Sequence, residues 1–212
     1  MRPMIDPRRP LVTRRALIAG TGALLASPLA FAAAGVPTPR QTEGPFYPVD
    51  WAGDVDNDLV VVRGEAARAQ GRVAHVMGRV LDAGGAPVKD AVVEIWQCDA
   101  NGRYRHPGDA FGARDAAFQG HGRTPVAADG AYRFRTIRPV AYSGRAPHIH
   151  FRVRREGREA LTTQLYVAGD PLNERDVLYR REANRAAITA PFLAADRIEE
   201  GALAATFDIR LA

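Results

Sequence analysis

Arg145-Ala146-Pro147-His148-Ile149-His150-Phe151 is the stretch on which the reading of this chain turns. The run is apolar and β-prone, and in a strand residues i and i+2 leave the backbone on the same face. His148 and His150 therefore share one face, while Ile149 and Phe151 share the other and can enter a core. Two imidazoles side by side on a rigid strand suit a metal, because neutral imidazole is the commonest protein metal ligand. The competing reading is a pair of histidines on an exposed edge strand.

Outward from that stretch, short apolar runs alternate with Gly, Pro and Asp turns. Residues 73–81 alternate imperfectly and end in Asp82-Ala83-Gly84-Gly85-Ala86-Pro87. Paired glycines supply positive φ there, and proline stops strand pairing. Residues 91–98 read as a strong strand, closed by the turn Asp99-Ala100-Asn101-Gly102 and followed by Arg103-Tyr104-Arg105-His106. Residues 107–124 are Gly- and Arg-rich and read as a loop. Strands follow at 132–137, at 148–154 and at 161–167; 173–187 suit a short helix or loop, and 205–211 read as a closing strand. Many short strands with little helix predict an all-β protein, a β-sandwich. The expected organisation is an irregular N-terminal arm over 35–70, with one strand at 59–62 after an acidic turn, and a catalytic core over 71–212.

The chain has 212 residues, 46% of them hydrophobic, which is ample for a core. The net charge of +5 suggests a nucleic-acid partner only until it is located. Arg2, Arg8, Arg9, Arg14 and Arg15 against Asp6 put four of those charges in residues 1–34, leaving +1 for the remainder. A near-neutral body gives no electrostatic footprint for nucleic acid or a membrane surface. Residues 1–34 read as an export signal of the twin-arginine type: Thr13-Arg14-Arg15-Ala16-Leu17, then an apolar run, then Ala30-Phe31-Ala32 as a cleavage site, with the cut falling by Ala34. The mature protein is expected in the periplasm or outside the cell, with no membrane attachment once the signal is removed. The single cysteine, Cys98, gives no disulfide framework and reads as a small buried hydrophobe.

A metal site needs more than two histidines. With one cysteine and no H-E-x-x-H, a zinc set is excluded, so oxygen donors are sought nearby. Tyr104 follows a turn that comes directly after the strongest strand, and Tyr142 sits six residues before His148 in a Pro/Gly loop. Each, taken alone, also reads as an ordinary core or rim tyrosine.

Four segments in order now form a pattern: Thr42-Glu43-Gly44-Pro45-Phe46-Tyr47, residues 94–106, Pro147-His148-Ile149-His150-Phe151, and Thr163-Gln164-Leu165-Tyr166. Together they resemble the intradiol ring-cleavage dioxygenases, such as protocatechuate 3,4-dioxygenase, catechol 1,2-dioxygenase and hydroxyquinol 1,2-dioxygenase. The resemblance implies a β-sandwich holding one non-haem Fe(III), with Tyr104, Tyr142, His148 and His150 as its protein ligands. It implies that Tyr142 is the axial phenolate and accepts a catechol proton when substrate binds. It further implies that Arg145 stabilises negative charge on the substrate and that Gln164 stands outside the ligand set, near the substrate, with a part in catalysis. Phe46 and Tyr47 are expected to wall the pocket. The expected reaction joins a catechol-type substrate with O2 and opens the ring between its hydroxyl-bearing carbons, giving a cis,cis-muconate-type diacid. The alternative from another class is a non-catalytic exported β-sandwich that binds phenolics or another partner. Trp96 reads as core, and His75 and His121 as surface or loop residues. The chain is short beside catechol 1,2-dioxygenases and lacks their long helical N-terminal dimerisation region. It looks nearer the protocatechuate branch; a homo-oligomer is compatible with this, and no residue specifies which catechol is the substrate.

Overall fold

The computed structural model describes residues 35–110 and 112–212. The export signal expected over 1–34 lies outside them. Among the described residues, no helix is long and apolar enough to cross a membrane.

Among the described residues, ten strands form two five-stranded sheets: β1 (Val73–Leu81), β2 (Ala91–Trp96), β3 (His121–Pro125), β4 (Ala131–Ile137), β5 (His148–Arg155), β6 (Arg158–Val167), β7 (Thr189–Ala190), β8 (Leu193–Ala194), β9 (Leu203–Thr206) and β10 (Ile209–Arg210). In the first sheet β1 is the hub: β4 runs antiparallel along it, and β9 and β10 run parallel to it, with β8 outside β9. The second sheet has the order β3-β2-β5-β6-β7. The predicted all-β sandwich is what the chain forms.

The stretch that opened the reading becomes β5, the central strand of the second sheet. Ile149, Phe151 and Val153 point inward and join Val76, Val80, Phe134 and Ile209 of the first sheet in one buried apolar cluster. The rings of Phe151 and Phe207 meet edge to face at 5.1 Å. Burying each such side chain stabilises the sandwich by about 1.5–3 kcal/mol. The opposite face of β5 is covered too. His148 and His150 are each 1% exposed, which rules out the exposed edge strand.

Part of that cover is the N-terminal segment. Gln41 N–H donates to the Thr162 carbonyl at 2.9 Å, the Thr163 hydroxyl to the Pro39 carbonyl at 2.8 Å, and the Gln164 amide to the Thr42 carbonyl at 2.9 Å. These bonds lay residues 39–42 across β6 and carry the following Gly-Pro-Phe-Tyr turn over the histidine face.

Three local expectations need correction. Residues 59–62 do not form a strand, although Leu59 and Val60 are fully buried. Their backbone groups are satisfied from elsewhere: Leu59 N–H by Arg135, the Leu59 carbonyl by Gln119 N–H, and Val60 N–H by the Asp58 carboxylate. The closing strand is two pieces, β9 and β10, because the Asp208 side chain takes the Arg79 N–H at 2.9 Å and so replaces a ladder bond. Gly78 of β1 makes that break possible, since a Cβ there would lie 2.0 Å from the Phe207 carbonyl oxygen. Finally, residues 121–125 leave the predicted loop and pair with β2 as β3. Residues 173–187 do hold the expected short helix, α1 (Val177–Arg181), among 3-10 turns.

Candidate metal centre

Cross-strand register assembles this site. Trp96 of β2, His150 of β5 and Gln164 of β6 lie directly opposite one another, and His148 lies opposite Tyr166. Paired residues in a sheet share a face, so two neighbouring rows holding five strand residues, and two residues from loops, can converge. His148 and His150 are 4.7 Å apart between ring centres, and their Nε2 atoms are 3.1 Å apart. His148 Nδ1 donates to the Ala146 carbonyl at 2.6 Å, which leaves its Nε2 as a lone pair facing His150. Burial, aided by the Arg145 charge, lowers the His148 pKa to about 3; burial and His148 lower that of His150. Both rings are therefore neutral, the state that binds metal.

The two tyrosines arrive on turns. Asp99 accepts from Asn101 N–H at 2.8 Å and Arg103 N–H at 3.0 Å, and Asp109 accepts from Tyr104 N–H at 2.7 Å. Tyr104 is thereby clamped on both sides. Tyr142 and Arg145 are the ends of a four-residue turn closed by Arg145 N–H to the Tyr142 carbonyl at 2.7 Å. Ser143 at φ 43° and Gly144 at φ 78° give it two central residues of positive φ, the mirror-image turn that aligns its two ends. Ring centres are 5.0 Å apart for Tyr104 and Tyr142, 5.5 Å for Tyr142 and His148, and 6.1 Å for Tyr104 and His150.

The two phenols differ in surroundings. Tyr104 is buried, and its hydroxyl has no hydrogen-bond partner. Burial and the neighbouring Tyr142 hold its pKa well above the usual value. An unmade buried hydroxyl bond costs about 1–3 kcal/mol, and a nearby cation removes that cost by drawing the proton off. Tyr142 is partly exposed and borders a cavity of about 380 Å³ that also touches Arg145, Leu172 and Arg175. Among the described residues, no three His, Cys, Asp or Glu side chains converge anywhere. A metal held here would have two imidazole nitrogens and two phenol oxygens. Anionic oxygen donors of that kind match a hard, highly charged ion.

Arg145 is fixed by three neighbours. Its Nε donates to Asp176 at 2.8 Å, and its Nη2 donates to the Gln164 amide oxygen at 2.7 Å and to the Tyr166 hydroxyl at 2.8 Å. Phe46 stacks on Tyr104 at 4.7 Å and meets Tyr142 edge-on at 6.2 Å. Tyr47 sits one layer back. Its hydroxyl donates to Glu94 at 2.8 Å, its ring meets Trp96 edge-on at 5.1 Å, and the Arg152 guanidinium lies 3.9 Å above it.

Several residues were not read this way from sequence. Trp96 is outside the main core and stacks on His150 at 4.8 Å and 10°. Three-strand register put it there, and a single strand read alone could not. Tyr166 lies two residues from Gln164 and so on the same face, a signal that was available. His75 and His121 are buried, not superficial. His75 tolerates burial because Glu199 and Arg133 each contact one ring nitrogen at 3.0 Å. Cys98 is buried as expected, and burial pushes its thiol up to about 12. Arg103, Arg105 and Arg114 line a separate cleft of about 500 Å³ that none of the four donors borders.

The fold and the order of these motifs fit a dioxygenase, and residues 42–212 match the family described as Dioxygenase. More narrowly, the chain belongs to the intradiol ring-cleavage dioxygenase family. It is 39% identical to the protocatechuate 3,4-dioxygenase beta chain of Burkholderia cepacia over 81% of this chain and 78% of that one. It is 33% identical to a catechol 1,2-dioxygenase of Acinetobacter baylyi over 67% of this chain, but spans only 50% of that relative. Among solved structures, it resembles the dioxygenase domain of a dioxygenase–carbohydrate-binding protein fusion from Streptomyces sp. SirexAA-E. There the TM-score is 0.63 and the identity 31%, covering 83% of this chain and 98% of the other.

Proposed function

We propose that this chain is an Fe(III)-dependent intradiol dioxygenase that opens a catechol-type ring between its two hydroxyl-bearing carbons with O2, yielding a cis,cis-muconate-type diacid. The observation that carries the reading is the buried convergence of His148, His150, Tyr104 and Tyr142, with the Tyr104 hydroxyl left without a protein partner. We assign these four as the iron ligands. Bound ferric iron would supply a Lewis acid that takes the catechol as its dianion and a one-electron partner that makes the ring reactive toward O2.

The chain's own residues divide the remaining work. Tyr104, clamped and buried, is the phenol built to stay in place. Tyr142, partly exposed beside the cavity, is the one free to move and to accept a catechol proton. Arg145 carries a fixed charge that favours the deprotonated and ketonised forms of the substrate. Gln164 holds Arg145 and, through Thr42, ties the arm over the site. Phe46, stacked on Tyr104, excludes water from one side. Export through the twin-arginine route and action on catechols outside the cytoplasm belong to the same proposal. Recovery of the mature protein in the periplasmic or extracellular fraction is the result expected of it.

The test is oxygen uptake by the iron-loaded protein with catechol, protocatechuate, hydroxyquinol and substituted catechols, with products identified by mass. Uptake with a diacid product is expected for at least one of them. Binding without uptake for the whole panel would favour the phenolic-binding sandwich instead.

A further inference from the structure

We propose that Asp176 is a positioning residue for this reaction, setting Arg145 and His148 together through a single buried carboxylate. The inference rests on the intradiol reading for its chemistry.

Asp176 is fully buried, at 0% exposure, and accepts four hydrogen bonds. Oδ1 takes Leu178 N–H at 2.9 Å and Tyr179 N–H at 3.2 Å, capping α1. Oδ2 takes Arg145 Nε at 2.8 Å and Ala146 N–H at 2.9 Å. Capping alone does not need a buried charge, since Ser or Asn caps equally well. Asp170 offers a comparison within this chain: it caps the preceding 3-10 turn through Leu172 N–H at 3.0 Å, pairs with Arg138 at 3.6 Å and makes no hydrogen bond to Arg145 or Ala146.

The second oxygen is where the site is addressed. With Nε on Asp176 and Nη2 on Gln164 and Tyr166, only Nη1 of Arg145 makes no hydrogen bond among the described residues. Asp176 therefore fixes the plane of the guanidinium and leaves one nitrogen for a bound ligand. The same Oδ2 holds Ala146 N–H, and the Ala146 carbonyl accepts from His148 Nδ1 at 2.6 Å. One residue thus passes the carboxylate's position on to the imidazole. Partners standing behind a ligand in this way orient it and set its basicity.

The experiment is a double-mutant cycle on the iron-loaded full chain. It uses Asp176→Asn, Arg145→Gln and both together, with Asp170→Asn as the capping control. Asn keeps one oxygen for the cap but supplies neither the charge nor the second acceptor. Three quantities are measured: the Kd for 4-nitrocatechol, kcat and KM on the best substrate, and iron content. Asp176→Asn is expected to weaken 4-nitrocatechol binding about 10-fold and to lower kcat more than it raises KM, with iron content near wild type. The double variant is expected to lie below Arg145→Gln by clearly less than the factor that Asp176→Asn costs the wild type, because both changes disturb the guanidinium and only the His148 arm remains to be lost. Fully multiplicative losses, wild-type behaviour of Asp176→Asn, or an equal loss in Asp170→Asn would each overturn the proposal. A wild type that binds 4-nitrocatechol but cleaves nothing would sink the functional reading alone, and the binding cycle would still decide Asp176. A wild type that does not bind it would overturn both.

Discussion

Two buried histidine clusters occupy opposite sheets of this sandwich, and they are built differently. On β1, His75 has both ring nitrogens engaged, one by Glu199 and one by Arg133. Glu199 also bonds Arg135 at 2.6 and 2.8 Å, and Arg135 reaches Asp58 at 3.1 Å. Glu199, Arg135 and Asp58 pair off there. On β5, His148 and His150 turn their Nε2 atoms toward each other, and the Tyr104 hydroxyl beside them has no partner. The first cluster is closed and can only hold the fold together. The second keeps donor atoms turned toward one point, and under the proposed function a metal completes it. Several donor atoms turned toward one point, with the Tyr104 hydroxyl unmet among them, rather than histidine count or burial, set the second cluster apart from the first.

The sharpest way to break that comparison is to delete donors from the open cluster. His150→Ala and Tyr104→Phe are each expected to lose bound iron and to cost kcat/KM more than the ~10–100-fold that changes behind a ligand already cost. Metal analysis and oxygen uptake read this out, and full turnover in both would refute the assignment. Next in size, Arg145→Gln should keep its iron while kcat/KM falls ~10²–10³-fold, the loss seen when a charge-stabilising donor is removed. Steady-state kinetics beside metal analysis check it.

The closed cluster should answer in stability instead. His75→Gln is expected to lower unfolding free energy by ~1–3 kcal/mol, through partners left unmatched, with kcat/KM within about twofold of wild type. Denaturant melts and kinetics on the same sample decide it. The smallest effect concerns pH. Arg135 beside Glu199 holds its carboxyl down at about 2, against an ordinary value of 4.5. A carboxylate lowered in the fold contributes stability above its unfolded pKa, and that stability is lost as pH falls from about 4.5 toward about 2. Burial also lowers His75, so protonating it on acidification favours unfolding as well. Glu199→Gln should flatten the fall of Tm across that acid window and leave its pH dependence above pH 6 largely intact.

The sequence revealed what period 2 and turn chemistry encode. Residues 73–81, 91–98, 132–137, 148–154 and 161–167 all became strands, within a few residues at their ends. The shared face of His148 and His150 was legible for the same reason. Contacts between strands were not. Trp96 against His150 is a product of register, and the burial of His75 depends on Glu199, 124 residues away. The failed strand at 59–62 has the composition of one, but its bonds go to Arg135, Gln119 and Asp58, which alternation cannot foresee. Asp176 reads as an ordinary helix cap, and only the fold reveals its second oxygen on Arg145. Two tyrosines from two turns became a site through resemblance to a family, because no local pattern links Tyr104 to Tyr142.

The most direct test of the open cluster is a ferric titration followed by visible absorption, run on wild type, Tyr104→Phe and His75→Gln. Wild type and His75→Gln should each take up one equivalent of iron and turn burgundy from tyrosinate-to-iron charge transfer, with the band shifting when catechol is added without oxygen. Tyr104→Phe should lose or strongly weaken that colour. A wild type that stays colourless with ferric iron, or a Tyr104→Phe band identical to wild type, would contradict the account.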